Sequence, residues 1–117
     1  MPDGLLNVLK PPGMTSHDVV DGVRRIARMR RVGHTGTLDP AAAGVMILML
    51  GGATRLSEYL MGCDKTYRAE ITLGLGTDTL DGEGVIVAEA DASAVTREQV
   101  REALTGMTGE IEMVPPM

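Results

Sequence analysis

Aromatic side chains are nearly absent from this sequence, which limits the hydrophobic core that it can build. The 117 residues include no Phe, no Trp and only two Tyr, Tyr59 and Tyr67, beside nine Met. A buried aromatic side chain contributes roughly 150–250 Å² to a core. This core therefore has to consist of Leu, Ile, Val, Ala and Met, and each tyrosine is a candidate for a functional role.

Length and cysteine content narrow the class of protein. A chain of 117 residues has the size of one small domain or of a piece of one. Cys63 is the only cysteine, which excludes an intrachain disulfide, and His17 and His34 add too few ligands for a Cys- or His-rich metal site. We therefore predict no metal and a reducing, cytoplasmic location. Asp3 and a short apolar run at the N-terminus argue against an export signal or a membrane span.

The net charge of −5 conceals two regions of opposite sign. Residues 1–68 hold nine Lys and Arg against six Asp and Glu, a net of +3, whereas residues 69–117 hold two against ten, a net of −8. Five arginines fall within residues 24–31. Because electrostatic attraction in physiological salt decays over about 8–10 Å, a local basic surface can bind phosphate on an acidic protein. The net charge therefore does not exclude an RNA partner.

Short apolar runs separated by glycine, proline and polar turns predict an α+β domain, built on an antiparallel or mixed sheet with flanking helices. Residues 66–74 alternate between apolar and polar, which predicts a strand with one covered face, and 85–90 are its expected antiparallel partner. Further strands are predicted at 5–10, 45–50 and 110–114, and helices at 53–61 and 97–107. Residues 32–44 are predicted to form a loop.

The first helix carries the clearest local signals. Thr15 or Ser16 can cap its start, and the arginines that follow suit its C-terminal end, where the helix dipole favours positive charge. Its predicted apolar stripe consists of Val19, Val20, Val23, Ile26 and Ala27. Thr96 and Gln99 have the spacing of a capping box for the last helix.

The loop sequence "HTGTLDP", residues 34–40, raises the question of what Asp39 does. An aspartate followed by a proline is a common way to begin a helix, with Asp39 at the N-cap and Pro40 in the first turn. The alternative is a carboxylate that the loop presents as a nucleophile or general base. Spacing alone does not decide between them.

Three stretches, in order, resemble the TruB family of tRNA pseudouridine synthases. "GHTGTLDPAAAGVMILMLGGATRL" is similar to the family's signature segment, in which the Asp of "GTLDP" is catalytic. "KPPGMTSHDVV" resembles the N-terminal "KPxGxTS" motif, and "DKTYRAEITLGLGTDTLDGEG" resembles "KxYxxxxxLGxxTxTxDxxG". Together these matches extend over nearly the whole chain.

The resemblance implies an isomerase with a pseudouridine synthase fold, of which residues 1–117 would be the N-terminal portion of the catalytic domain. Such an enzyme converts the T-loop uridine of tRNA (uridine 55) to pseudouridine without a metal or organic cofactor. The uridine is flipped out of its stack. Asp39, by its matched position, would be the nucleophile or base that allows the glycosidic bond to break and re-form.

Other site residues follow from the same resemblance. Tyr67 would stack on the flipped base, although its place in an alternating segment is equally typical of a core aromatic on a covered strand face. His34 would contact the RNA and help to hold its flipped conformation. Gly36 and Thr37 would let the backbone turn tightly beside the RNA. Gly33 would support that turn, and we expect both glycines to need a positive φ.

Basic residues complete the expected site. Lys10 is predicted to support the neighbouring loop structurally, with phosphate contact as the less favoured alternative. Arg30 and Arg31, by default a solvated helix end, become phosphate anchors if RNA is the ligand. The expected partner is the T-arm of tRNA, with no obligatory protein partner.

Two other functions stay open beside the stand-alone tRNA enzyme. One is a non-catalytic RNA-binding or tRNA-folding module, and the other is a guide-RNA-dependent relative that acts on ribosomal RNA. The resemblance also places the rest of the catalytic sheet, an arginine that pairs with the catalytic aspartate, and a C-terminal RNA-binding PUA domain beyond residue 117. We therefore expect residues 1–117 alone to have little or no activity.

Overall fold

The computed structural model describes residues 2–115, which form two compact units. The first unit extends to Thr66 and the second begins at Tyr67. Each unit has its own small antiparallel sheet. The first unit also contains two α-helices and a 3-10 helix, and the second contains one α-helix. The predicted α+β class is confirmed. Within residues 2–115, no helix is long and apolar enough to cross a membrane.

The first unit contains a three-stranded sheet. Its strands are β1 (Gly4–Lys10), β2 (Val32–His34) and β3 (Gly44–Leu50), and its helices are α1 (Ser16–Ala27), a 3-10 helix (Gly51–Leu56) and α2 (Ser57–Met61). The strand order is β1-β3-β2, and β3 pairs antiparallel with both neighbours. The continuously apolar segment at 45–50 is thus the central strand, as its composition predicted.

The core of the first unit lies between α1 and one face of this sheet. Its buried members are aliphatic or methionine side chains: Val19, Val20, Met29, Val32, Met46 and Leu48. Met49 is buried as well. Methionine is unbranched and flexible, so it fills irregular spaces where aromatic rings would otherwise pack. The core composition expected from the lack of Phe and Trp is confirmed for this unit.

Helix α1 begins with a capping box and ends at a left-handed residue. Thr15 is the N-cap: its hydroxyl accepts from the Asp18 amide at 3.0 Å, and its amide donates to the Asp18 carboxylate at 3.0 Å. These bonds, the backbone one first, hold the pKa of Asp18 below its usual value. Arg28 ends the helix with φ 53°.

One member of the predicted apolar stripe of α1 is not covered. Ile26 is 85% exposed, whereas Val19 is 6% exposed. Periodicity predicts which side of a helix a residue occupies, but not how far the covering residues extend along it. Ala27 in the last turn still packs against the core, whereas Ile26 beside it is left uncovered, so the prediction for Ile26 was wrong.

The predicted loop at 32–44 is shorter than expected, because its first three residues form β2. Val32 pairs with Leu50, Gly33 with Met49 and His34 with Leu48. Three residues that include a glycine and a histidine carry no local strand signal. Pairing with β3 supplies the stabilisation that their own sequence lacks.

The second unit contains a short hairpin and one helix. Strands β4 (Leu75–Thr77) and β5 (Ile86–Glu89) pair antiparallel, with an irregularity between Gly76 and Thr77. Helix α3 (Arg97–Thr105) begins at the predicted capping box, in which the Thr96 hydroxyl accepts from the Gln99 amide. The segment predicted at 85–90 does form an antiparallel strand, over Ile86–Glu89, but its partner is β4 and not the segment predicted at 66–74.

Two strand predictions in the second unit were wrong. The strand predicted at 66–74 does not form; the partner of β5 is Leu75–Thr77 instead. The strand predicted at 110–114 does not form either. A strand needs a neighbour for its backbone N–H and C=O groups. Within residues 2–115 neither segment pairs with a strand, and the first is bonded to the hairpin only at its end, where the Gly74 carbonyl accepts from the Ala90 amide at 2.8 Å. The alternating side chains of the first segment are consequently exposed, with Ile71 at 74% and Leu73 at 51%.

Candidate active site around Asp39

Asp39 lies in the connection between β2 and β3, at the first position of a tight turn. The Ala42 amide donates to the Asp39 carbonyl at 3.0 Å, which closes a four-residue turn with Pro40 in the second position. The next regular element is β3 rather than a helix. The N-cap interpretation of Asp39 is therefore wrong, since no helix follows for the carboxylate to cap.

The backbone is anchored on both sides of Asp39. Before it, the buried Ser16 hydroxyl accepts from the Leu38 amide and donates to the Leu38 carbonyl, both at 2.9 Å. The Leu38 side chain packs against the core of the first unit. After it, the Pro40 carbonyl accepts from the Gly13 amide at 2.7 Å. The side chain of Asp39 itself is exposed, so a fixed backbone presents a free carboxylate.

Lys10 joins the two loops that meet at this turn. Its side chain is fully buried, and the three hydrogens of its amino group are shared among four carbonyls within hydrogen-bonding distance. Two of them belong to the loop after β1: Pro11 at 3.0 Å and Met14 at 2.7 Å. The other two belong to the turn of Asp39: Pro40 at 3.2 Å and Ala42 at 2.7 Å. These contacts occupy the amino group within the protein, which leaves it no access to a phosphate.

His34 is the last residue of β2, half-buried opposite Leu48. Its Nδ1 lies 2.7 Å from the Gly36 carbonyl oxygen. A carbonyl only accepts, so Nδ1 carries the hydrogen, and in the neutral ring Nε2 is left as an acceptor. The ring thus ties the loop to the strand and keeps one nitrogen for a ligand.

The two glycines of the loop differ in backbone conformation. Gly36 has φ +77°, a region that other residues rarely adopt, so its expected need for glycine is confirmed. Gly33 lies within β2 and has no positive φ, so that expectation was wrong for it. A Cβ built on Gly33 would lie 3.4 Å from the Met49 side chain, which is ordinary contact. Thr37 is exposed in the loop.

Lys65 is a nearby cation that sequence reasoning did not select. A Cβ built on Gly36 would lie 3.7 Å from Lys65 Nζ, so the lysine side chain reaches the same loop. The signal was present, because Lys65 is the first residue of the "KxY" match. Ser16 was also missed as a site residue, since only its capping ability was considered.

The arginines after α1 do not all have the same freedom. Arg24 is committed to the protein: its guanidinium donates to the Asp21 carboxylate at 3.1 Å and to the carbonyls of Arg30 and Val32 at 3.1 and 3.2 Å. Arg24 therefore fixes the path of the chain from α1 into β2.

The remaining arginines are exposed. Arg31 directs its Nε to the Thr54 hydroxyl at 2.9 Å, which occupies part of its guanidinium. Arg25, Arg28 and Arg30 line a shallow concavity at the end of α1. Of the two arginines predicted to contact phosphate, Arg30 is thus the less restrained.

Tyr67 belongs to the second unit, whereas the Asp39 loop belongs to the first. It lies in a segment without regular structure, and its side chain is 70% exposed. The alternative of a core aromatic on a covered strand face was therefore wrong. The structure brings Asp39, His34, Gly36 and Lys10 together within the first unit.

No group of three or more metal-ligating side chains occurs among residues 2–115. The polar groups of this loop are backbone amides and carbonyls, the Ser16 hydroxyl, the His34 imidazole and the Lys10 amino group. The hydroxyl and the amino group hold the backbone that carries Asp39, and the second nitrogen of His34 is left to bond a polar ligand. The chemical group that it exposes is the carboxylate.

Comparison with known proteins identifies the family. Residues 24–117 match the family model described as the TruB family pseudouridylate synthase N-terminal domain. Over 115 residues the chain is 64% identical to a tRNA pseudouridine synthase B of Symbiobacterium thermophilum. This alignment covers 98% of the chain and 38% of that relative. The corresponding proteins of Caldanaerobacter subterraneus and Pelotomaculum thermopropionicum are 56% and 54% identical, and the chain covers 40% and 36% of them.

The chain thus spans less than half the length of these relatives. The segment that carries Asp39 lies inside the matched region, and the matched relatives also extend over the segment that carries Lys10 and Ser16. The chain belongs to the TruB family of pseudouridylate synthases.

Proposed function

We propose that this chain carries the catalytic loop of a tRNA pseudouridine synthase, which isomerises the T-loop uridine (uridine 55) to pseudouridine. The observation that supports this most is the exposed Asp39 carboxylate on a turn whose backbone is anchored on both sides. The relatives are named for activity on tRNA. The substrate, the T-arm, is our inference for this chain.

The reaction exchanges one bond to the ribose for another. The bond between N1 of uracil and C1′ breaks, the base turns, and C5 bonds to C1′; C5 loses a proton and N1 gains one, so no other atoms are gained or lost. Asp39 would act as nucleophile or base in the first step. The uridine has to leave its stack first, at a cost of a few kcal/mol.

The anchored turn explains how a carboxylate can do this work. A carboxylate in water is strongly solvated and is a weak nucleophile. Folding already fixes its orientation, so part of the entropic cost of reaching the reactive geometry does not have to be met during the reaction. In this chain Ser16, Gly13 and Lys10 fix the backbone that carries Asp39, and the bound RNA would exclude water from its side chain.

The residues beside Asp39 suit contact with a displaced nucleotide. Nε2 of neutral His34 is an acceptor that a ribose hydroxyl or a base N–H can approach. Gly36 and the exposed Thr37 leave the loop backbone open to a ligand. Tyr67 belongs to the second unit, and its exposed ring is available for stacking on a base, which is worth about 1–3 kcal/mol per base and offsets much of the unstacking cost.

The basic surface at the end of α1 is the proposed contact to the RNA backbone. Arg30, with Arg25 and Arg28 beside it, is exposed around one concavity, and Arg31 keeps part of its guanidinium free. Replacing Arg25, Arg28 and Arg30 with Ala should lower the salt dependence of RNA binding by about 0.7 in the log–log slope per lost single-strand phosphate contact. Arg97→Ala with Arg101→Ala on α3 is the matched control, and an equal change there contradicts this surface.

Activity is best tested in a protein that also contains the part of the family's sequence that this chain does not cover. We define the joined enzyme as this chain followed by the residues of the Symbiobacterium thermophilum relative that lie beyond the matched segment. The substrate is a tRNA T-arm transcript labelled with tritium at uridine C5, since isomerisation releases that label. Release is expected from this transcript, and not from one whose T-loop uridine is replaced by cytidine.

Three results would contradict the proposal in different ways. No release by the joined enzyme contradicts the enzymatic function and favours an RNA-binding or tRNA-folding module. Equal release from both transcripts contradicts the T-loop site. Release only with co-purified guide RNA and protein partners favours the guide-dependent alternative, against our proposal of no obligatory partner. The single exposed cysteine, Cys63, and a tRNA substrate both fit the proposed cytoplasmic location.

A further inference from the structure

Two adjacent hydroxyls at the start of α1 have separate partners. Thr15 forms the capping box with Asp18, which satisfies the helix terminus. Ser16 is the first residue of the helix and is not needed for that cap. Its side chain is 3% exposed and forms its hydrogen bonds to a residue 22 positions away.

Ser16 uses both of its hydrogen-bonding functions on Leu38. Its Oγ accepts from the Leu38 amide at 2.9 Å and donates to the Leu38 carbonyl at 2.9 Å. A hydroxyl has one hydrogen to donate, so this pair of bonds spends its donor fully. The amide and the carbonyl of the residue next to Asp39 are therefore held by a single side chain.

We propose that Ser16 is a positioning residue for the catalytic carboxylate of Asp39, an inference that rests on the function proposed above. The two sides of Asp39 are anchored differently. Pro40, on the far side, is held by the Gly13 amide and by Lys10. On the N-terminal side of Asp39, the Leu38 amide and carbonyl are both hydrogen-bonded to the Ser16 hydroxyl.

Loss of the Ser16 hydroxyl frees the peptide groups that lead into Asp39. The Leu38 side chain remains in the core, so the fold keeps its packing while the backbone before Asp39 gains rotational freedom. A misplacement of about 1 Å at a reacting group can reduce a rate about 100-fold. Substrate binding through the other loop residues and the arginines does not depend on this hydroxyl.

The test compares Ser16→Ala with Thr15→Ala in the joined enzyme. Thr15→Ala removes the helix cap and lowers stability, but it leaves both bonds to Leu38 in place. We expect Ser16→Ala to lower kcat about 10- to 100-fold with KM within about twofold. Thr15→Ala should lower the melting temperature and leave kcat within about twofold. An unchanged kcat in Ser16→Ala, or an equal loss of kcat in both variants, overturns the proposal.

Amide hydrogen exchange gives a second readout that does not require activity. In Ser16→Ala of the 117-residue chain the Leu38 amide should exchange about 10-fold faster, because one hydrogen bond of typical strength is lost. In Thr15→Ala the Asp18 amide, which donates to the Thr15 hydroxyl, should exchange faster instead, while exchange of the Leu38 amide stays the same. Unchanged Leu38 exchange in Ser16→Ala contradicts the positioning role. If the alanine variant fails to fold, Ser16→Cys replaces it, since cysteine is of similar size but a weak donor and acceptor.

The same experiments separate this inference from the proposed function. If Asp39→Asn abolishes turnover and Ser16→Ala does not reduce it, the positioning role fails and the function stands. If Asp39→Asn leaves turnover intact, the proposed function fails. The Leu38 exchange result then still decides whether Ser16 holds the loop, but not whether it serves catalysis.

Discussion

Replacing Lys10 with methionine removes the amino group that joins the two loops and keeps a side chain of similar length in the buried site. The short bonds to Met14 and Ala42, both 2.7 Å, are the strongest of the four. Hydrogen bonds that involve a charged group contribute about 1.5–3 kcal/mol each. The Pro40 carbonyl loses less, because it also accepts from the Gly13 amide. We expect the free energy of unfolding to fall by about 3 kcal/mol, mainly from these two bonds.

Urea unfolding followed by circular dichroism at 222 nm measures this loss. Lys65→Met is the matched control, because Lys65 is an exposed lysine of the same unit. The same chemical change at an exposed position should cost less than about 0.5 kcal/mol. For a domain of this size, 3 kcal/mol lowers the melting temperature by roughly 10 °C. If Lys10→Met and Lys65→Met are equally stable, the four carbonyl contacts do not hold the loops together.

Three further results are expected. Gly36→Ala should lose about 1–2 kcal/mol of unfolding free energy, since alanine is strained at φ +77°, whereas Gly33→Ala should lose much less; equal losses contradict the difference in backbone conformation. Because its hydrogen bonds to Thr15 lower the pKa of Asp18 below its ordinary 3.8, the stabilisation from Asp18 is present above that value and is lost as the pH falls through the lower folded-state pKa. Asp18→Asn removes the titrating group and should remove this dependence in urea titrations at several pH values, whereas Thr15→Ala keeps the backbone amide that bonds the carboxylate; an unchanged profile in Asp18→Asn contradicts it. Tyr67→Leu should weaken T-arm binding by the joined enzyme by about 1–3 kcal/mol, while Tyr67→Phe keeps it; an equal loss in both argues against stacking.

Elements with strong local signals were predictable from the sequence. Helix α1 has a capping residue, an apolar stripe and a basic end within twelve residues, and α3 has the capping box of Thr96 and Gln99. The central strand β3 was predicted because its apolar run is bounded by Gly44 and Gly51. In each case the residues that stabilise the element lie inside it or next to it.

Features that depend on distant partners were not predictable. Strand β2 exists because β3 pairs with it. The alternating segment at 66–74 forms no strand because no strand of the described residues pairs with it. The bonds from Lys10 to Ala42 and from Ser16 to Leu38 join residues 32 and 22 positions apart. The motif match pointed to Asp39. The hydrogen bonds that anchor its loop could not be predicted, because they join residues far apart in the sequence.

The isomerisation rate of Asp39→Asn in the joined enzyme tests the central claim most directly. Asparagine keeps the shape of the side chain and removes its charge and basicity, and the anchoring contacts around Asp39 involve its neighbours and its backbone. Tritium release from the labelled T-arm transcript should fall by about 10³-fold or more, while the Kd for the transcript stays within about twofold. Turnover within about tenfold of the unsubstituted joined enzyme would show that the exposed carboxylate of Asp39 is not the group that opens the glycosidic bond.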